Sequence, residues 1–168
     1  EEGQIERMFD KASEKLEGID IAVNNIGMLG PEGTAPLLEM DEKKWRDVIE
    51  QNLLVTALSM KSAAKHMSES GSGVIINVSS GETTRPSPFL AGYGAAKAGI
   101  NHLTETAAVE FGPMGIRVLA IAPGTTLTET VIDFFDDDRI SAIQQSNPLR
   151  KMSDIEDLGY LSVFLASD

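Results

Sequence analysis

Two side chains that can exchange and stabilise a proton lie four residues apart in the segment Tyr93-Gly94-Ala95-Ala96-Lys97. Residues with this spacing on a helix lie on one face, so the phenol and the ammonium are expected to be neighbours. A tyrosine titrates at ~10 in water, and a nearby cation stabilises its phenolate. The pair therefore predicts proton transfer by Tyr93, with Lys97 as its electrostatic partner.

A hydroxyl group is predicted beside this pair, at the end of a strand. Residues 74–78 are almost continuous in apolar, β-branched side chains, which is typical of a parallel strand covered on both faces. Ser79 and Ser80 follow, at the strand end where open α/β sheets bind ligands. We favour Ser80 as the functional hydroxyl; the alternative is Ser79, which would otherwise only satisfy backbone groups.

The elements that position these groups alternate between helix and strand. Apolar spacing and the positions of Gly and Pro predict these elements in order. They are helix 5–16, strand 19–23, a loop over 30–36, a long helix from the N-cap Asp41 to Met67, strand 74–78, helix 92–111 and strand 116–122. A weak helix or lid over 129–145 follows, and a last helix begins with a capping box of Ser153 and Glu156. This alternation favours an α/β fold with a doubly wound parallel sheet.

Three strands are few for such a sheet, whose usual count is roughly five to six. Strand 19–23 would present an apolar, aggregation-prone edge if it had no neighbour, so we expect another strand to pair with it. No repeat or linker interrupts the chain, and residues 1–168 are therefore predicted to form one domain in which the sheet is incomplete.

The composition is that of a globular protein, with 42% hydrophobic and 24% charged residues. Its 14 Lys and Arg against 26 Asp and Glu give a net charge of -12, which argues against nucleic acid and acidic membranes as principal partners. The chain has 0 Cys, and no stretch approaches the roughly 20 apolar residues of a membrane span. We predict a cytoplasmic protein.

Taken together, these residues resemble the classical short-chain dehydrogenase/reductase family. The resemblance rests on Asn24-Asn25-Ile26-Gly27, Asn52, Ser80, the pair of Tyr93 and Lys97, and Pro123-Gly124, all in the family's order and spacing. It covers essentially the whole chain. It implies a Rossmann-like oxidoreductase that transfers a hydride between NAD or NADP and a secondary alcohol or ketone.

The resemblance also implies a role for each catalytic residue. Tyr93 would donate or accept the substrate proton, while Lys97 would lower the pKa of Tyr93 and hold the nicotinamide ribose. Ser80 would orient and polarise the carbonyl, and Asn52 would organise a proton-relay water. Apart from the family pattern, a lone Asn inside a helix is usually solvated or locally bonded.

A second set of residues is expected to contact the cofactor. By resemblance these are Asn24, Asn25, Gly27, Tyr93, Lys97, Pro123, Gly124, Thr126 and Thr128. Ile26 replaces the family's commoner Ala and leaves the turn-forming Gly27 intact. Thr126 and Thr128 have an alternative interpretation as part of a turn-rich loop that begins a helix, and both interpretations can hold together.

The family's Gly-rich phosphate loop has no counterpart in these residues. By resemblance that loop and three strands precede the segment, and a further strand follows a sequence like that of residues 161–168. We therefore expect the central to C-terminal part of a longer subunit, which alone would bind cofactor poorly. The residue that separates NAD from NADP would lie in the preceding part.

Residues 124–148 are interpreted as a mobile lid that covers the substrate and sets specificity. Segments 121–124, 126–130 and 147–150 resemble bacterial hydroxysteroid dehydrogenases and 3-oxoacyl carrier-protein reductases, so a hydroxysteroid-like or 3-oxoacyl-like substrate is expected, with the former favoured. The alternative function is a non-catalytic nucleotide-sensing or assembly module. The helices around Asn52 and over 93–111 match the family's paired-helix surface and predict a homodimer or homotetramer.

Two other features receive structural interpretations. His66 and His102 lie on predicted helices without partners at a metal-binding spacing, so satisfied or exposed histidines are expected. The run Asp136-Asp137-Asp138 is an alternative cation site, but like charges on a short lid more often form a solvated face or a helix start. We predict no bound metal.

Overall fold

The computed structural model describes residues 2–28 and 34–167, which form a parallel sheet with helices on both faces. Its strands are β1 (Ile21–Asn24), β2 (Gly73–Val78) and β3 (Ile116–Ile121), in the order β1-β2-β3. In the described part of the chain the helices are α1 (Glu2–Leu16), α2 (Glu42–Ile49), α3 (Val55–Ser70), α4 (Ala91–Phe111), α5 (Glu129–Phe134), α6 (Asp137–Ser146) and α7 (Ile155–Ala166). The predicted α/β, Rossmann-like class with an incomplete sheet is confirmed.

Two hydrophobic clusters cover the opposite faces of the sheet. On one face, α1, α3 and α4 pack around the fully buried Ile75 of β2. On the other face, Leu158 and Leu165 of α7 pack over Ile76. Burial of each isoleucine side chain contributes roughly 2 kcal/mol. Because β2 is covered on both sides, its residues form a continuous apolar run rather than an alternating one.

The helix predicted from Asp41 to Met67 is interrupted. Asp41 caps α2 as expected, since its Oδ1 accepts from the Lys44 N–H at 2.8 Å. Residues Glu50–Leu54 then form a π turn before α3 continues to Ser70. The helical spacing of apolar residues continues before and after the π turn, so this spacing does not reveal the turn in the sequence. Such turns occur frequently at functional sites.

The remaining boundaries differ in detail. The lid contains two short helices, α5 and α6, rather than one weak helix. The predicted capping box of Ser153 and Glu156 was wrong by one residue, because the N–H of Asp154 contacts the carboxylate of Asp157 at 3.4 Å. Residues 30–33 of the predicted loop lie outside the described residues.

Strand β1 pairs with β2 along one edge. Within residues 2–28 and 34–167 no strand pairs with its other edge, and Ile21 and Val23 are about half exposed there, at 50% and 49%. The apolar edge predicted from the sequence is therefore present. It lies directly beside the strand ends that carry the polar residues.

Candidate active site

Residues that follow the three strands meet at one edge of the sheet. Segments 25–27, 79–80 and 123–124 come directly after or close behind β1, β2 and β3. Tyr93 and Lys97, from the first two turns of α4, reach the same place. Together these groups line a cleft of about 700 Å³, which we call the catalytic cleft. It opens at the carboxyl ends of parallel strands, where α/β sheets bind ligands.

Lys97 is a buried cation held by main-chain carbonyl groups. Its side chain is only 1% exposed, and Nζ donates to the carbonyl oxygens of Ile26 and Val78, each at 2.7 Å. Because burial penalises the charged form, the pKa of Lys97 falls from its ordinary value to about 8. The two carbonyls follow β1 and end β2, so this side chain joins the strand ends that frame the cleft.

Tyr93 lies beside Lys97, as the four-residue spacing predicts, with Nζ 5.6 Å from the centre of the phenol ring. Burial raises the pKa of Tyr93, a hydrogen bond with the Ser80 hydroxyl lowers it, and the Glu82 carboxylate raises it. The net shift is upward, whereas the resemblance implied a lowering by Lys97. Burial outweighs the favourable contacts here, and the phenol is therefore protonated at neutral pH.

The geometry separates the two candidate serines. Oγ of Ser80 accepts from the Glu82 N–H at 3.2 Å, and Ser80 and Tyr93 line the same cleft. Oγ of Ser79 donates to the carbonyl oxygen of Lys97 at 3.2 Å, so this hydroxyl joins β2 to α4. Both residues line the cleft, but the Ser79 O–H already donates to a main-chain carbonyl, whereas the Ser80 oxygen only accepts from a main-chain N–H. The arrangement favours Ser80 as the group that meets a ligand.

Asn52 lies in the π turn, behind the catalytic cleft rather than among its lining residues. Its fully buried amide donates to the carbonyl oxygens of Met28 at 2.9 Å and Val48 at 2.8 Å, and its Oδ1 accepts from the Met28 N–H at 3.2 Å. The side chain thus fixes the backbone that follows β1. Its implied role in organising a water stays a prediction.

Asn24 belongs to a buried amide network instead of the cleft. Its Nδ2 donates to Oδ1 of Asn77 at 2.8 Å, and Nδ2 of Asn77 donates to the Thr104 hydroxyl at 2.9 Å. The network links β1, β2 and α4, while the cofactor contact expected from Asn24 is not brought to the cleft. The sequence prediction missed Asn77, although an amide within an apolar strand is the signal that identifies it.

Gly27 occupies a position where a side chain would crowd the neighbouring side chains. An ideal Cβ at this position would lie 3.2 Å from Nζ of Lys97 and 3.9 Å from Oδ1 of Asn52. Gly27 is not among the described glycines with positive φ, which are Gly18, Gly71 and Gly115, and its expected turn role stays a prediction. Its missing side chain leaves room for the buried ammonium.

The far wall of the cleft comes from residues after β3. Pro123 accepts a hydrogen bond from the Gly81 N–H at 2.6 Å, which joins this wall to the end of β2. Thr128 caps α5 by accepting from the Val131 N–H at 3.2 Å, while Thr126 pairs with Ser153 in an isolated parallel bridge. Both threonines also line the cleft. Their contact with a cofactor stays a prediction.

One face of α7 closes the catalytic cleft, a contribution that the sequence prediction missed. The lining residues spaced by one helical turn are Ile155, Leu158, Gly159 and Ser162. Their three- and four-residue spacing was the available signal, but it is equally typical of an ordinary core-facing stripe.

The groups in this cleft fit the nicotinamide end of a dinucleotide. A carboxamide and ribose hydroxyls need hydrogen-bond donors and acceptors, and the lining residues that offer them are Asn25, Tyr93, Lys97, Thr126 and Thr128. An ideal Cβ at Gly124 would have no heavy atom within 4 Å, so the wall beside these groups is open. The donor set and the open wall match that end of the cofactor.

The histidines lie outside the catalytic cleft. Nε2 of His66 lies 3.2 Å from Oδ1 of Asp10, and His102 is exposed. Among residues 2–28 and 34–167, no group of three or more His, Cys, Asp or Glu side chains is arranged to hold a metal ion. Over the same residues, no helix is both long and apolar enough to cross a membrane.

The parallel, Rossmann-like sheet thus brings Ser80, which follows β2, together with Tyr93 and Lys97 of α4 at one edge. A family model described as enoyl-(acyl carrier protein) reductase matches residues 1–168. The chain belongs to the short-chain dehydrogenase/reductase family.

Individual relatives are similar over nearly the whole chain. It is 38% identical to cis-4-hydroxycyclohexanecarboxylate dehydrogenase of Sinomonas cyclohexanicum, covering 100% of this chain and 66% of the relative. It is 36% identical to 3beta-hydroxysteroid dehydrogenase 1 of Eggerthella lenta, covering 98% and 62%. A solved structure of ElxO with NADP bound has a TM-score of 0.92 at 32% identity, covering 100% and 68%. The chain thus spans 62–66% of the length of these two curated relatives.

Proposed function

We propose that the protein to which this chain belongs is an NAD(P)-dependent dehydrogenase or reductase that interconverts a secondary alcohol and a ketone. The observation that carries the proposal is the buried Lys97 ammonium beside the Tyr93 ring, in a cleft that the Ser80 hydroxyl also lines. Relatives that act on alcohols, and a similar structure with NADP bound, support it.

Ser80 is oriented to polarise a carbonyl. Its Oγ accepts from the Glu82 N–H, so its own O–H is the group left to donate. A carbonyl that receives a hydride develops negative charge on oxygen, and a fixed donor stabilises that charge. The nicotinamide, when bound, supplies or accepts the hydride.

Tyr93 is suited to give the proton in the reducing direction. Its raised pKa keeps the phenol protonated at neutral pH, so it can protonate the developing alkoxide as the carbonyl carbon gains its new C–H bond. In the oxidising direction the same residue must first lose its proton, which higher pH favours. Lys97, with a pKa of about 8, is mostly an ammonium at neutral pH and stabilises the phenolate left after transfer.

The substrate class is proposed as a hydroxysteroid-like or 3-oxoacyl-like alcohol or ketone, with the steroid-like class favoured. The name of the Eggerthella lenta relative supports a hydroxysteroid, and that of the Sinomonas cyclohexanicum relative supports an alcohol on a ring. A homodimer or homotetramer and a cytoplasmic location stay predictions.

The test is an assay of the full-length protein with NADH and NADPH against cyclic ketones, oxosteroids and a 3-oxoacyl thioester. We expect Tyr93→Phe to lower kcat by about 100-fold or more, because the phenol proton is removed and the ring is kept. The matched control is Tyr160→Phe, since Tyr160 is 73% exposed on α7 and does not line the cleft.

Undiminished turnover in Tyr93→Phe would contradict the mechanism. Binding of NADH or NADPH without turnover of any ketone would instead favour a nucleotide-sensing or assembly module, the alternative that the sequence left open.

A further inference from the structure

A second cleft, of about 610 Å³, lies beside the catalytic cleft. It is formed between the loop after β2, residues 81–90, and the lid that carries α5 and α6. Gly124 lines both clefts, and the segment from Ser80 to Glu82 passes from one to the other. The two clefts are therefore neighbours, separated by the contact between the Gly81 N–H and the Pro123 carbonyl oxygen.

The residues that line this cleft carry more positive than negative charges. The carboxylate of Glu82 accepts from Nη2 of Arg85 at 2.7 Å and also from the Ser87 hydroxyl, so one anion and one cation offset each other. Arg139 of α6 also lines the cleft. In the part of the chain that the structure describes, no carboxylate oxygen lies at ion-pair distance from the Arg139 guanidinium.

The acidic residues next to Arg139 do not neutralise it in the cleft. Asp136 is engaged as the N-cap of α6, where its Oδ1 accepts from the Arg139 N–H at 2.7 Å, and Asp137 and Asp138 are exposed. The guanidinium carbon lies 6.0 Å from the centre of the Phe135 ring. An aromatic face at that distance helps to hold a guanidinium in place. The cleft therefore carries one net positive charge, borne by an arginine.

Apolar side chains line the same cleft as the Arg139 guanidinium, on both the loop side and the lid side. Leu90 lines the loop side of the cleft, and Phe135 and Ile143 line the lid side. Guanidinium groups bind carboxylates through parallel N–H donors, which gives both affinity and orientation. A cleft with apolar side chains on both sides, polar groups between them and one arginine without an acidic partner among the described residues suits a ligand with a partly apolar body and a terminal carboxylate.

We propose that Arg139 binds the carboxylate of an oxo or hydroxy acid whose reacting carbon lies between Ser80 and Tyr93. This inference rests on the proposed function and narrows its substrate class to compounds that carry an anionic group at the end remote from the reaction. Of the net charge of -12, the exposed charges farther than about 8 Å from Arg139 are screened at physiological salt, so the nearby Asp136, Asp137 and Asp138 are the carboxylates that oppose such binding.

The test compares acids with their methyl esters in the full-length protein. Two pairs serve as probes: 4-oxocyclohexanecarboxylate with its methyl ester, and an oxo bile acid with its methyl ester. We expect the parent protein to prefer at least one acid over its ester by about tenfold in kcat/KM, as for a charge-assisted hydrogen bond at an exposed site. Arg139→Met should remove the preference mainly through KM, and Arg139→Lys should restore part of it.

Arg46→Met is the matched control, because Arg46 pairs with Glu42 on α2 and lines neither cleft. It removes the same charge and should leave the preference unchanged. Equal kcat/KM for acid and ester in both pairs, or an equal loss on both in Arg139→Met, overturns the role of Arg139 while leaving ketone reduction intact. If the parent protein reduces none of these four compounds and no ketone of the wider panel, the proposed function itself is overturned.

Discussion

The two clefts that meet at Gly124 are built in opposite ways. In the catalytic cleft Lys97 is 1% exposed, and its partners are main-chain atoms at the strand ends. In the second cleft Arg139 is exposed on α6, and neither α5 nor α6 contributes a buried residue to the core. The residues proposed for proton transfer are therefore held by contacts that the fold needs, whereas the residue proposed for substrate choice lies on a segment that can change at little cost in stability.

The first prediction tests whether the catalytic side distinguishes adjacent residues. Ser80→Ala should lower kcat for ketone reduction by about 100-fold, because it removes a donor aimed at the developing oxyanion. Ser79→Ala should cost only about 1 kcal/mol of unfolding free energy, from the lost bond to the Lys97 carbonyl, with little change in kcat. Steady-state kinetics and urea unfolding measure the two effects. The reverse pattern would mean that the serines had been assigned the wrong way round.

The second prediction concerns the cost of burying Lys97. A lowered pKa means that the folded state binds this proton less tightly than the unfolded state. Stability should therefore rise with pH between about 8 and the ordinary value of 10.5, then level off. The gain is at most about 3 kcal/mol. Urea unfolding across that pH range should show the rise in the parent protein and a flatter profile in Lys97→Met; parallel profiles would exclude a buried, titrating ammonium.

The third prediction, with the smallest effect, concerns a charge in the second cleft that acts on a residue of the catalytic cleft. Glu82 contributes to the raised pKa of Tyr93, so Glu82→Gln should lower that pKa. The alkaline limb of kcat/KM for ketone reduction should then move to lower pH, because reduction needs the protonated phenol. Glu42→Gln on α2 removes the same charge far from the cleft and serves as the control. A limb that stays in place would show that the Glu82 charge does not act on Tyr93, and a limb that moves to higher pH would contradict the direction of its effect.

The same contrast explains what the sequence revealed. The continuous apolar run of β2, the Ser80 that follows it and the spacing of Tyr93 and Lys97 are local patterns, and each predicted a feature that the structure contains. The spacing between Ser80 and Tyr93 favoured Ser80 over Ser79 as the functional hydroxyl. These groups depend on regular elements, whose periodicity is written in neighbouring residues.

Other features depend on contacts between distant residues. The sequence did not indicate that Asn24 would bond to Asn77, 53 residues away, instead of facing the cleft. The π turn around Asn52 and the raised pKa of Tyr93 were missed for the same reason, since packing against other elements determines both. The second cleft is formed by the loop after β2 and the segment that carries α5 and α6, whose relative position no local pattern encodes.

The central claim is that Tyr93 delivers the proton that completes transfer of a hydride to a ketone. It is tested most directly by following deuterium from C4-deuterated NADH or NADPH into the alcohol product, by mass spectrometry, in the full-length protein. We predict deuterium on the carbinol carbon with the parent protein and with Tyr160→Phe, and incorporation slowed by about 100-fold or more in Tyr93→Phe. Incorporation at the parental rate in Tyr93→Phe would contradict the claim.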